Sequence, residues 1–121
     1  MPGPEPAPPF AVTFVQRLRD DLLVARKARD GVSTTVLRTT IAAIENAEAP
    51  PADGPAWPPQ IGLSTDHARL ELAEEQVLAI VERERAERVR GAAELDEVGQ
   101  AERAAELRAE ADVLLAYLDP G

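Results

Sequence analysis

Six charged residues sit on or beside otherwise apolar stretches, and they are the side chains of this sequence best placed to do chemistry. Asp21 projects close to the side of Phe10 and Phe14, and Glu48 falls in line with Leu37, Ile41 and Ile44 beside Arg38. Glu84 and Arg88, four apart, stand inside a stripe of Val77, Val81, Ala92 and Leu95, and Glu110 flanks Leu107 and Leu114. A carboxylate turned inward costs several kcal/mol unless it is paired or protonated. Three chemistries answer that cost. The acids can form interhelical salt bridges that fix register, with Arg38 and Arg88 as their cations. They can share a proton for acid/base work or hold a hard cation. They can also present a recognition surface. The helix-bundle di-metal pattern needs Glu-x-x-His pairs, and the single histidine, His67, is not placed to complete one. Salt bridging is therefore the leading expectation, with no metal and no cofactor.

Other catalytic devices are missing from the sequence. There is no cysteine, which removes thiol nucleophiles, disulfides and zinc fingers. No GxGxxG, Walker-type loop or GxSxG occurs, and Ser33 and Ser64 read as cap and loop residues. No catalytic residue is assigned. Arg17, Arg26, Lys27, Arg29 and Arg38 form the only basic concentration, scattered round a helical cylinder; the first four are the candidates for any RNA contact.

The charge distribution narrows the partners further. The net charge is −9, from 13 basic and 22 acidic residues. Residues 1–48 are neutral overall, whereas residues 74–121 carry −7. Such a field repels phosphate, so DNA and general nucleic-acid coating are not expected, and any RNA contact belongs to the neutral half. The longest apolar run, Val113 to Leu118, is six residues, against the ~20 that span a bilayer. With no signal-like start, the expectation is a cytoplasmic protein without membrane association.

These residues must be positioned by helices. Ala, Leu and Val dominate the apolar 45% and aromatic residues are only 3%, a composition suited to close helix packing. Residues 1–9, with five prolines, read as a disordered leader. Phe10, Phe14, Leu18, Leu22 and Ala25 recur at helical spacing. Asp30-Gly31 is expected to stop that helix, with Gly31 supplying a left-handed conformation and Ser33 or Thr34 capping the next helix. The second helix should bury Val36, Leu37, Thr40, Ile41, Ile44 and Ala47. Residues 49–65 are proline-rich and read as a loop anchored by Trp57 or Ile61. A third helix starts near Glu74 and reaches Val98 before Gly99. A fourth places Ala104, Leu107, Ala111, Leu114, Leu115 and Leu118 inward. The expected fold is all-α, a four-helix bundle-like domain of two hairpins over residues 10–121, joined by the proline-rich loop.

Several of these residues also form an ordered motif set. Leu18 and Asp21 fit L-x-x-D; Ala25, Lys27, Ala28 and Asp30 fit A-x-K-A-x-D. Val36, Leu37 and Arg38 fit V-L-R, and Asn46 and Glu48 fit N-x-E. Further on come Val77, Leu78, Glu84, Arg88 and Gly99, then Glu110, Leu114, Tyr117 and Leu118. In this order the residues resemble the YqeY family, small bacterial proteins related to the tail domain of the GatB amidotransferase subunit. The resemblance covers the family's N-terminal helical domain; members usually continue after Y-L-P into a second, smaller helical domain, whereas here Asp119 separates Leu118 from Pro120.

The resemblance implies a link to tRNA and to carbon–nitrogen ligation with glutamine as amido donor. In GatB the related tail is associated with holding tRNA while chemistry proceeds in other parts of the complex, which this sequence lacks. The expected function is thus a non-catalytic helical module associated with tRNA or a glutamine-dependent tRNA amidotransferase. The alternative is a helical protein–protein interaction domain with no tRNA link.

Overall fold

A computed structural model describes residues 9–49 and 72–119. All four expected helices are present: α1 (Phe10–Lys27), α2 (Gly31–Glu48), α3 (Glu74–Glu97) and α4 (Ala101–Leu118). There is no strand among the described residues. No helix among them is long and apolar enough to cross a membrane. The expectations for the 1–9 leader (Pro9 apart), the 49–65 loop (Ala49 apart), its anchors Trp57 and Ile61, and His67 lie outside the described residues.

The two hairpin turns are built alike. At the end of α3, Gly99 takes φ 76°, Gln100 N–H donates to the Leu95 carbonyl at 2.8 Å and Gly99 N–H to that of Asp96 at 3.1 Å. This is the Schellman arrangement, which satisfies carbonyls left open at a helix end. At the end of α1 the same pair of bonds runs from Asp30 N–H to Ala25 (2.9 Å) and from Arg29 N–H to Arg26 (3.1 Å). The left-handed residue there is Arg29, at φ 58°, not Gly31, which is already the first residue of α2. The cap of α2 is correspondingly Asp30 and not Ser33 or Thr34. Its carboxylate accepts from Ser33 N–H at 3.0 Å and from Ser33 Oγ at 2.7 Å. Placing the left-handed residue two positions earlier lets α2 begin immediately after the turn.

Helix α3 opens with Glu74 and Glu75 in its first turn, where the macrodipole favours acids. The Gln76 side chain accepts from Ala73 N–H at 2.7 Å.

The core joins all four helices. Leu18, Val36, Ile44, Val77, Val81 and Leu114 are fully buried in it. Helices α3 and α4 form the most extensive pair, α2 packs on both α1 and α4, and α3 meets α1 only narrowly. Small residues bring α3 close to α4: Ala92 and Ala104 are fully buried, and a Cβ on Gly91 would lie 3.1 Å from Leu107 Cδ1. By contrast, no Cα of α1 comes within 8 Å of one in α4.

Two inward assignments on α4 change. Leu115 is 46% exposed, while Tyr117 is buried. The α4 stripe turns towards α1 at its end, so the position three after Leu114 faces inward and the position one after it does not.

Candidate functional site

The six flagged charges do not converge on one point. They separate into a buried ion cluster between α3 and α4, a phenol–carboxylate contact between α1 and α4, and two residues on α2.

Arg88 organises the first group. Its Nε donates to Glu110 Oε1 at 2.8 Å, and its Nη1 donates to Glu84 Oε1 at 3.1 Å and to the Glu84 carbonyl at 3.0 Å. The three side chains are only 11%, 10% and 8% exposed for Arg88, Glu84 and Glu110. One turn of α3 sets Glu84 below Arg88, and the tight α3–α4 approach brings Glu110 to the other edge of the guanidinium. Both carboxylates are thus engaged by one cation, the register-fixing chemistry expected of them.

Asp21 belongs to the second group. It accepts a hydrogen bond from the Tyr117 hydroxyl. The Tyr117 ring meets Phe14 edge-on, with centroids 6.0 Å apart, and the Arg17 guanidinium lies 4.5 Å above its centroid. Burial, with the Asp21 carboxylate as its acceptor, pushes the Tyr117 phenol above its ordinary range. A phenol held protonated in this way is a hydrogen-bond donor, not a base. The contact was not assembled from the sequence, where Tyr117 appears only as a motif position; its spacing from Leu114 is the signal that points inward.

The α2 charges behave differently from one another. Glu48 is buried at the end of the helix. Arg38 is exposed, and among the described residues it takes part in none of the ion pairs. The expected meeting of Asp21, Arg38, Glu48, Glu84 and Arg88 is therefore corrected. Arg38 follows the buried Val36–Leu37 pair by one residue, and the ~100° step of the helix carries it to the surface.

The candidate tRNA contacts also divide. Arg17 is spent over Tyr117. Arg26, Lys27 and Arg29 are exposed at the end of α1 and the turn that follows. None of the three is in an ion pair among the described residues. Further from this turn, Arg19, Arg85, Arg103 and Arg108 pair with Glu45, Glu82, Glu106 and Asp96 respectively, whereas Arg38, Arg83 and Arg90 are exposed, each without an exposed cation beside it in sequence, and take part in none of these ion pairs.

Among the described residues no group of three or more His, Cys, Asp or Glu side chains could hold a metal ion. One cleft, of about 420 Å³, lies between the start of α2 and α4 and is lined by Gly31, Val32, Thr35, Arg103, Glu106 and Glu110. Its charged groups are already engaged: Arg103 by Glu106, and Glu110 by Arg88. It offers neither a nucleophile beside a base nor a free acid beside a base.

No protein-family model, no curated protein and no solved structure matches this chain.

Proposed function

We propose that this chain is a non-catalytic helical module of the YqeY and GatB-tail kind, which binds tRNA or a tRNA-bearing amidotransferase assembly. On this reading the carbon–nitrogen ligation with glutamine as amido donor is performed by the partner enzyme, and the chain contributes recognition. The observation that carries it is the trio Arg26, Lys27 and Arg29, exposed together at the α1–α2 turn without acidic partners among the described residues. Phosphate recognition needs such unspent cations. The turn belongs to the charge-neutral half of the sequence, and the start of α2 that follows it faces Arg103, Glu106 and Glu110 of α4 across a cleft.

Titration of labelled tRNA at several salt concentrations tests the proposal. Three phosphate contacts predict a log–log salt slope of about −2 to −3, and Lys27→Glu with Arg29→Glu should abolish most binding. No retention at low salt, or binding untouched by the double reversal, would remove the tRNA reading.

A further inference from the structure

Both hairpin turns lie at one end of the bundle. The start of α2 and the start of α4 line one cleft, with Gly31, Val32 and Thr35 on one side and Arg103 and Glu106 on the other. The ends of α1 and α3, which lead into those starts, therefore share that end. Helix α1 packs on α2, α3 packs on α4, and α1 stays apart from α4, so the two turns form opposite edges of the end face. The edges differ in sign. Arg26, Lys27 and Arg29 are exposed on the α1–α2 edge, and Glu94, Glu97 and Glu102 are exposed on the α3–α4 edge. None of the six is in an ion pair among the described residues. Their charged neighbours are engaged locally: Asp30 by Ser33, Asp96 by Arg108 and Arg103 by Glu106. Asp20 and Arg90, exposed charges of the opposite sign on α1 and α3, lie about two turns back from Lys27 and Glu97. Val98, 70% exposed, adds an apolar contact beside the acids.

A face with one edge of each sign selects its own copy. A polyanion or a polycation engages one edge and leaves the other unanswered. A second copy answers both, because a two-fold axis running between the turns lays each basic edge over the partner's acidic edge. The size of the end sets the strength. Four helices of ~10 Å diameter present a face of roughly 20 Å by 20 Å, or ~800 Å² counted over both copies. That area belongs to transient pairs. Association should therefore need high protein concentration and should dissolve in salt, as the screening length falls from ~10 Å at ~0.1 M to ~3 Å at ~1 M.

We propose that this end of the bundle is a self-complementary surface that pairs two copies of the chain, each α1–α2 turn lying over the other copy's α3–α4 turn. The pair uses the same cations as the tRNA reading, so tRNA would compete with it, but it does not rest on that reading.

Sedimentation equilibrium of the full chain, from about 10 μM to about 1 mM, tests this without tRNA. It should show a monomer–dimer equilibrium in ~0.05 M salt and monomer alone in ~0.5 M. Lys27→Glu with Arg29→Glu sets acid against acid and should weaken association about tenfold or more. Glu97→Lys with Glu102→Lys sets base against base and should do the same. All four changes together restore opposite signs at the wild-type net charge, and should bring association back to within about threefold. Arg38→Glu with Arg83→Glu makes the first charge change away from both turns and should leave association within about twofold. Circular dichroism verifies that each variant is folded; should one lose its helical signal, the salt and concentration dependence of the wild type still decides. Glu97→Lys with Glu102→Lys adds cations, so it should break the pair without weakening tRNA binding, and a chain that pairs but retains no tRNA fails only the tRNA reading. A wild-type chain that stays monomeric throughout, or a dimer indifferent to salt, would overturn the proposal. So would an equal loss from the Arg38 and Arg83 reversals, or no recovery when all four changes are combined.

Discussion

Replacing Arg88 with alanine should be the most damaging single change available on α3. The wild-type cluster holds one guanidinium against two carboxylates, at 2.8 Å to Glu110 and 3.1 Å to Glu84, with each of the three side chains about one-tenth exposed. At an effective dielectric near 20, opposite charges at ~4 Å attract by ~4 kcal/mol, so two such contacts offset much of the cost of taking three charges out of water. Without Arg88 the two acids remain in the α3–α4 interface with neither solvent nor a cation, and stranding a buried partner costs about 3–5 kcal/mol. A domain of this size has roughly 5–15 kcal/mol in total. With urea dependences of ~1–3 kcal/mol per molar, the unfolding midpoint followed by circular dichroism should fall by about 2 M. Arg88→Lys keeps the charge but loses the two-edged geometry, and should cost about 1–2 kcal/mol. Glu110→Gln in the Arg88→Ala background removes one stranded charge and should recover part of the loss, giving strong non-additivity. An Arg88→Ala variant within ~1 kcal/mol of wild type would show that the cluster is solvated, and the reasoning would fail.

Three further outcomes follow from particular atoms. Thr40 is fully buried and its Oγ1 has no hydrogen-bond partner among the described residues; Thr40→Val should raise stability by about 1 kcal/mol in urea titration, because it removes a desolvated hydroxyl without changing shape. Arg29 occupies the left-handed region at φ 58°, so Arg29→Gly should gain about 0.5–1 kcal/mol after the extra chain entropy of glycine is subtracted, whereas Gly99→Ala should lose stability. The Asp30 carboxyl is held below its ordinary value of 3.8 by the side-chain and backbone hydrogen bonds from Ser33, and that of Glu82 below 4.5 by Arg85. A lowered folded value means that their contribution is present above the unfolded value and lost as pH falls through the folded one; thermal midpoints should drop below about pH 4, less steeply in Asp30→Asn.

Helix number and order were legible because each helix repeats its apolar positions over four or more turns, a signal that tertiary context reinforces. The α3–α4 turn was legible because glycine stands where the left-handed residue is needed. The α1–α2 turn was not: Arg29 occupies the equivalent position, and the nearby Gly31 draws the eye to a place where the chain is already helical. Glu84, Arg88 and Glu110 could be placed inward because they interrupt long stripes. Arg38 could not, since one helical step separates a buried residue from an exposed one and Val36, Leu37 and Arg38 are consecutive. The pairing of Tyr117 with Asp21 was beyond the sequence altogether, because it depends on the distance between two helices far apart in the chain.

The residues that carry the YqeY resemblance are largely the ones found in helix contacts and turns. Glu84, Arg88 and Glu110 tie α3 to α4, Asp21 and Tyr117 tie α1 to α4, Asp30 caps α2, and Gly99 makes the second turn. Such a motif set describes how a bundle is held in register, so its strongest implication concerns the fold. Of the motif residues, Lys27, Arg38 and Asn46 are exposed, and of these three Lys27 is the one at the α1–α2 turn. It lies between Arg26 and Arg29, which the motif does not require. A structural explanation therefore accounts for most of the resemblance and leaves over this turn together with Arg38 and Asn46 on α2. That division is why the tRNA proposal is placed on Arg26, Lys27 and Arg29, and why reversing two exposed charges, which should leave the helical core intact, tests recognition apart from folding.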